Sequence, residues 1–186
     1  MRKLDPDLII QMRASIVDSE DFQFAKKQGL WRPAMTTCSI PWVGVKELEN
    51  DNRGASVDMI GLTVDGKHTG EAYCLAWVQT IIAFVELELR LTSPLKATEG
   101  CLDLWNSTSK NLKFKSNPQP GDIAIWKHGN GPSGHAGIVM AAKENYFETI
   151  EANVFGSDGV THGIFGKLRL LNDYSNMKLL GFIKPF

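Results

Sequence analysis

The chain has 186 residues, of which 43% are apolar and 22% charged, with a formal net charge of -1. That length suits one core with room for an appendage, and Lys and Arg scattered without a basic stripe exclude a nucleic-acid-binding surface. No apolar run is long enough to insert in a membrane, and Leu8-Ile9-Ile10 behind Asp5-Pro6-Asp7 is too short for a secretory signal. Synthesis in the cytoplasm is therefore expected, with any work outside needing another exit route.

In chain order, Asp5-Pro6 followed by Leu8, Ile9, Met12 and Ile16 predicts a capped amphipathic helix ending near Val17. Residues 22–41 show no clean period and are punctuated by Gly29 and Pro33, so residues 1–40 are read as an N-terminal helical extension. The segment 42–48 fits a short helix or a strand equally well. Asn52-Arg53-Gly54 predicts a turn, 55–62 a short helix, and 65–70 a loop. Gly70 to Val85 predicts one helix, apolar around nearly its whole circumference and therefore central to a core. Glu99 to Ser107 predicts another, with Leu102 and Trp105 facing inward. From Pro118 the texture changes to short alternating segments at 121–126, 135–142, 146–154, 166–171 and 179–183. Helices first and an antiparallel meander second make an α+β domain over residues 41–186.

Three cysteines at 38, 74 and 101 are an odd count without paired spacing, which argues against a disulfide framework. On its own, a cysteine in an apolar helix packs as a small hydrophobe. Cys74 differs because it falls in the first helical turn, where unpaired N–H groups and the helix dipole favour a thiolate. Cys38 and Cys101 have no such feature and read as packing residues.

The strands flanking Lys143-Glu144-Asn145 carry a register. A hairpin turning about Glu144 sets Gly137 opposite Glu151, Ile138 opposite Ile150, Ala136 opposite Ala152 and His135 opposite Asn153. Apolar positions then face apolar positions, while His135 shares the polar face with Glu151 and Asn153. An imidazole beside a carboxylate and an amide is what orienting a catalytic base requires. The reading assigns Cys74 as nucleophile, His135 as base, the Cys74 N–H as oxyanion donor, and Glu151 or Asn153 as the group that orients the imidazole. His128 is the nearest rival base but sits in a Gly-rich turn. His68 and His162 read as loop residues, with His68 near enough to Cys74 in sequence to touch substrate. Trp77, Trp105 and Trp126 read as core residues, with glycan contact by Trp126 or Tyr73 the alternative.

Tyr73-Cys74-Leu75-Ala76-Trp77-Val78-Gln79, Pro120-Gly121-Asp122-Ile123-Ala124-Ile125-Trp126, Gly134-His135-Ala136-Gly137-Ile138-Val139 and Ile150-Glu151-Ala152-Asn153 resemble, in order, the motifs of CHAP-type domains. These belong to the NlpC/P60-like, papain-related cysteine hydrolases of peptidoglycan, and the resemblance spans about residues 41–186. It implies a papain-like α+β fold, with a Cys-bearing helix packed on a five- to six-stranded antiparallel sheet. It also implies Cys74, His135, Glu151 and Asn153 as site residues and cleavage of an amide bond in peptidoglycan, as in an endolysin. Ala152 stands where the family commonly has glycine. Some phage members bind calcium before the cysteine, but here Asp65 and Glu71 are mixed with Lys67 and His68, so no metal and no cofactor are expected. A monomer is expected, acting on the cell wall after holin-type release or dedicated secretion. The 1–40 segment is open to targeting, inhibition or contact with an immunity protein. A same-fold hydrolase or acyltransferase on another amide, and a catalytically silent wall-binding module, remain the alternatives.

Overall fold

The computed structural model describes residues 2–171 and 176–186. Among the described residues six α-helices precede a six-stranded antiparallel sheet, an α+β architecture of the expected kind. The helices are α1 (Pro6–Ile16), α2 (Glu20–Gln28), α3 (Trp31–Ser39), α4 (Ala55–Asp65), α5 (Cys74–Leu89) and α6 (Cys101–Ser107). The strands are β1 (Lys113–Phe114), β2 (Ile123–His128), β3 (Gly134–Ala142), β4 (Tyr146–Phe155), β5 (His162–Leu170) and β6 (Met177–Ile183), in the spatial order β1-β6-β2-β3-β4-β5.

Helix α1 starts where the sequence places it. The Asp5 carboxylate accepts the Asp7 and Leu8 N–H groups at 2.8 and 3.4 Å, and Pro6 occupies the first turn. The next two helices are additions to the sequence reading. Ser19 caps α2, and Gly29 closes it in the left-handed conformation at φ 66°. Pro33 lies in the first turn of α3, where its missing N–H would have had no helical partner anyway. The 42–48 segment is neither helix nor regular strand. A single 3-10 turn covers Ile40–Trp42, and Lys46 makes one bridge to Gly163.

Helix α5 begins at Cys74 rather than Gly70 and runs on to Leu89, buried from Cys74 to Val85 without a break. One apolar cluster joins it to Leu8, Met12 and Ile16 of α1, Phe22 of α2, Met35 and Cys38 of α3, and Ile138, Ile150 and Ile164 of the sheet. Two carboxylates near the end of α5 tie down the N-terminal segment. Glu88 receives Arg13 Nε at 2.7 Å and Lys26 Nζ at 2.6 Å, while Glu86 pairs with Arg2 at 3.3 Å. On the opposite face of the sheet a smaller cluster forms from Ala124, Trp126, Val139, Phe147 and Phe182. In α6 it is Cys101 and Leu104 that are buried, with Leu102 and Trp105 only half-buried, one position away from the expected face.

Candidate active site

Cys74 is the first residue of α5, with Tyr73 at the cap position, so its N–H belongs to the set with no acceptor inside the helix. The helix behind it is buried from Cys74 to Val85, which holds the thiol in one place. Only 5% of the residue is exposed, and that part lines a cleft of about 510 Å3.

The hairpin brings the next two groups in. Gly137 pairs with Glu151 and Ile138 with Ile150 as the alternation predicts, but the ladder shifts between Val139 and Ala141 and does not extend to the expected His135–Asn153 and Ala136–Ala152 pairs. Because Ile138 and Ile150 join the cluster around α5, Glu151 must point to the other face of the sheet. There His135 Nε2 donates to Glu151 Oε2 at 2.8 Å across the diagonal of the ladder. Gly137 makes room for this contact, since a Cβ at that position would stand 2.6 Å from Glu151 Cγ. With Nε2 committed to Glu151, the remaining ring nitrogen is left for the Cys74 thiol, which lines the same cleft.

Glu151 is completely buried and has a second partner that the sequence reading did not anticipate. Arg169 of β5 donates Nε to Oε1 at 2.8 Å and its terminal nitrogen to Oε2, and Thr149 Oγ1 adds a third donor. Burial alone would raise the Glu151 pKa, but Arg169 and then His135 outweigh it and lower it to about 2. Burial would likewise lower the His135 pKa, yet its bonds to Cys74 and Glu151 prevail and raise it to about 9. The Cys74 thiol is lowered well below its ordinary value, first by a hydrogen bond from Cys101 and next, against the burial penalty, by His135 and the Ala136 N–H. These directions favour a thiolate on Cys74 beside an imidazolium on His135.

Asn153 is not on the shared face. The strand bulges between Ala152 and Val154, and Asn153 takes φ 60°, which turns it out of the alternation. Its amide donates to Glu47 Oε1 at 3.3 Å and to Asn52, although it still lines the cleft beside Cys74. Between Glu151 and Asn153, therefore, the carboxylate is the group that touches the imidazole. Glu47 is a second buried carboxylate behind the cleft. It accepts the Tyr73 hydroxyl at 3.1 Å and the Asn52 N–H at 3.0 Å, and lies 3.5 Å from His162 Nδ1. Thus the lead-in segment, residues 42–53, grips both the residue before Cys74 and the bulge after Glu151.

The remaining candidates separate cleanly. His128 ends β2, exposed on the cleft, and His162 opens β5 and lines it, so neither is a plain loop residue. His68 is buried under Gly61, with Nε2 2.7 Å from the Asn52 carbonyl, and does not reach the cleft. Tyr73 and Trp126 are both 1% exposed, which rules out glycan contact by either. Among the described residues no group of three or more His, Cys, Asp or Glu side chains is arranged to hold a metal ion, and no helix is long and apolar enough to cross a membrane.

Residues 65–153 match the family model of the CHAP domain. Over that span the chain is similar to a CHAP domain. The matched span contains Cys74, His135 and Glu151 and ends at Asn153. Side chains that contact the candidate site also lie outside it: Glu47 and Asn52 before, His162 and Arg169 after. No curated protein and no solved structure matches the chain. Arg169 and Glu47 had no local signal in sequence, because each acts through a contact more than ten residues away along the chain.

Proposed function

We propose that this protein is a peptidoglycan hydrolase cleaving an amide bond of the stem peptide or of its junction to the sugar, with Cys74 as nucleophile. The observation that carries this reading is the thiol at the start of α5 beside an imidazole whose other nitrogen is bonded to a buried carboxylate at 2.8 Å. Cys74 Sγ attacks the carbonyl carbon, and the Cys74 N–H at the open helix end stabilises the oxyanion. The imidazolium of His135 gives its proton to the leaving amine, and a thioester remains. His135 then removes a proton from water, which hydrolyses the thioester and regenerates the thiolate. Glu151 holds the ring orientation throughout. Asn153, fixed by Glu47 and Asn52, forms the wall of the cleft past which the stem peptide threads. The place of action is the cell wall, reached after release through the membrane or by dedicated secretion.

The test uses purified cell walls and isolated muropeptides, with products identified by mass spectrometry. The full chain is expected to release new amino groups, and Cys74→Ala and His135→Ala to lose more than about 10³-fold of that rate. Undiminished release by either variant removes the mechanism. Intact walls together with turnover of another amide would move the protein to a same-fold hydrolase of a different substrate.

A further inference from the structure

Cys101 heads α6 and is buried at 4% exposure, a position that by itself says only that a small apolar side chain fits there. Its sulfur, however, lies 3.8 Å from Cys74 Sγ, in hydrogen-bonding contact with the nucleophile. We propose that Cys74 and Cys101 form a reversible oxidation site, at which a hydroperoxide converts the two thiols into a disulfide that caps the nucleophile.

The geometry divides the labour between the two sulfurs. Cys74 lines the cleft and is open to a molecule the size of hydrogen peroxide, whereas Cys101 is not among the cleft residues. His135 and the Ala136 N–H lie on the Cys74 side, so the negative charge settles there and Cys101 keeps its proton as the S–H donor. A thiolate is the form that attacks a peroxide, and a neighbouring protected thiol is what resolves the product. In the first step Cys74 S⁻ attacks one peroxide oxygen. An S–O bond forms, the O–O bond breaks, and hydroxide leaves to be protonated to water. In the second step Cys101 sulfur attacks Cys74 Sγ of the sulfenic acid. The S–S bond forms, the S–O bond breaks, and the oxygen departs as water with the Cys101 proton. Two thiols and one peroxide thus give one disulfide and two waters. The two sulfurs have to close from 3.8 Å to the bonded distance of about 2.05 Å. Cys38, buried in α3, has no sulfur partner among the described residues, and burial raises its pKa, so it is left out of the reaction.

The experiment exposes the folded full chain to a small molar excess of hydrogen peroxide, alkylates it in denaturant, and maps it by mass spectrometry. The expected result is loss of two alkylatable thiols, a peptide joining residues 74 and 101, and return of both thiols with dithiothreitol. Cys101→Ser is expected to carry Cys74 on to the sulfinic acid, which dithiothreitol does not reverse. Cys101→Ala repeats that test without a hydroxyl in the pocket, and if neither variant folds the wild-type map alone decides. A wild-type chain that gains sulfinic acid at Cys74 while Cys101 stays alkylatable overturns the proposal, as does a link to Cys38. The readout is a mass, so it stands whether or not the protein cleaves peptidoglycan.

Discussion

Glu151 carries two opposite attachments, one to a cation that never loses its proton and one to an imidazole that must. Arg169 keeps the carboxylate ionised, and the ionised carboxylate keeps His135 charged and turned toward Cys74. Glu151→Gln removes that charge while leaving the shape. Turnover should fall by about 10² to 10⁴-fold, measured as amine release from muropeptides. Folding stability should drop by about 3 kcal/mol, the low end for a broken buried pair because Arg169 still reaches water, read from urea unfolding. The two shifted groups also set the pH limits. Glu151, lowered to about 2, contributes stability that is complete above the ordinary carboxylate range and lost as pH falls toward 2. His135, raised to about 9, contributes stability that is complete below its ordinary pKa and lost as pH rises through 9. Above that pH the thiolate survives but its proton donor does not. Alkylation of Cys74 by iodoacetamide should therefore continue past pH 9 while amide hydrolysis declines, and parallel decline of both would refute the assignment of His135 as acid.

At the scale of elements, the β3–β4 hairpin was legible because its alternation has a single register that matches apolar to apolar. The side chains of Glu151 and His135 follow from that register without further information. What the alternation cannot reveal is where it stops. The bulge at Asn153 depends on Glu47 and Asn52 drawing its amide out of the ladder, and those residues come from a segment with no regular structure of its own. Likewise α2 and α3 bury few large side chains, and Pro33 reads as a stop unless the helix is known to begin just before it. The hairpin also explains Gly137 in the Gly134-His135-Ala136-Gly137 motif. Gly137→Ala should push Glu151 off His135 and cost activity well beyond its effect on stability, since the Cβ would meet Glu151 Cγ at 2.6 Å. Activity and urea midpoint measured on the same preparation separate the two. Gly163 has a different duty, admitting the Val45 carbonyl 2.1 Å from where its Cβ would be, and so lets the lead-in segment lie against β5.

Across the whole molecule, the N-terminal helices, α5 and the inner face of the sheet bury one apolar cluster. The rim around it is stitched by Glu88 to Arg13 and Lys26, and by Arg32 to Asp122. A chain beginning at residue 41 should therefore lose most of its resistance to urea, and Phe84→Ala, which empties the contact between Phe22 and α5, should cost about 3–5 kcal/mol. Full retention of the urea midpoint in the shortened chain would make residues 1–40 dispensable for stability. The helix carrying Cys74 and the hairpin carrying His135 were both readable, because each is a local pattern. Cys101 and Arg169 were not, because a sulfur 27 positions from Cys74 and a guanidinium 18 positions from Glu151 leave no periodic trace. The order of these parts along the chain has a consequence during synthesis. Cys74 leaves the ribosome long before His135, and Glu151 leaves before the arginine that keeps it ionised. Until β5 has emerged and paired, Glu151 lacks Arg169, so a nascent chain holds the His135 carboxylate partner without the cation that keeps it ionised.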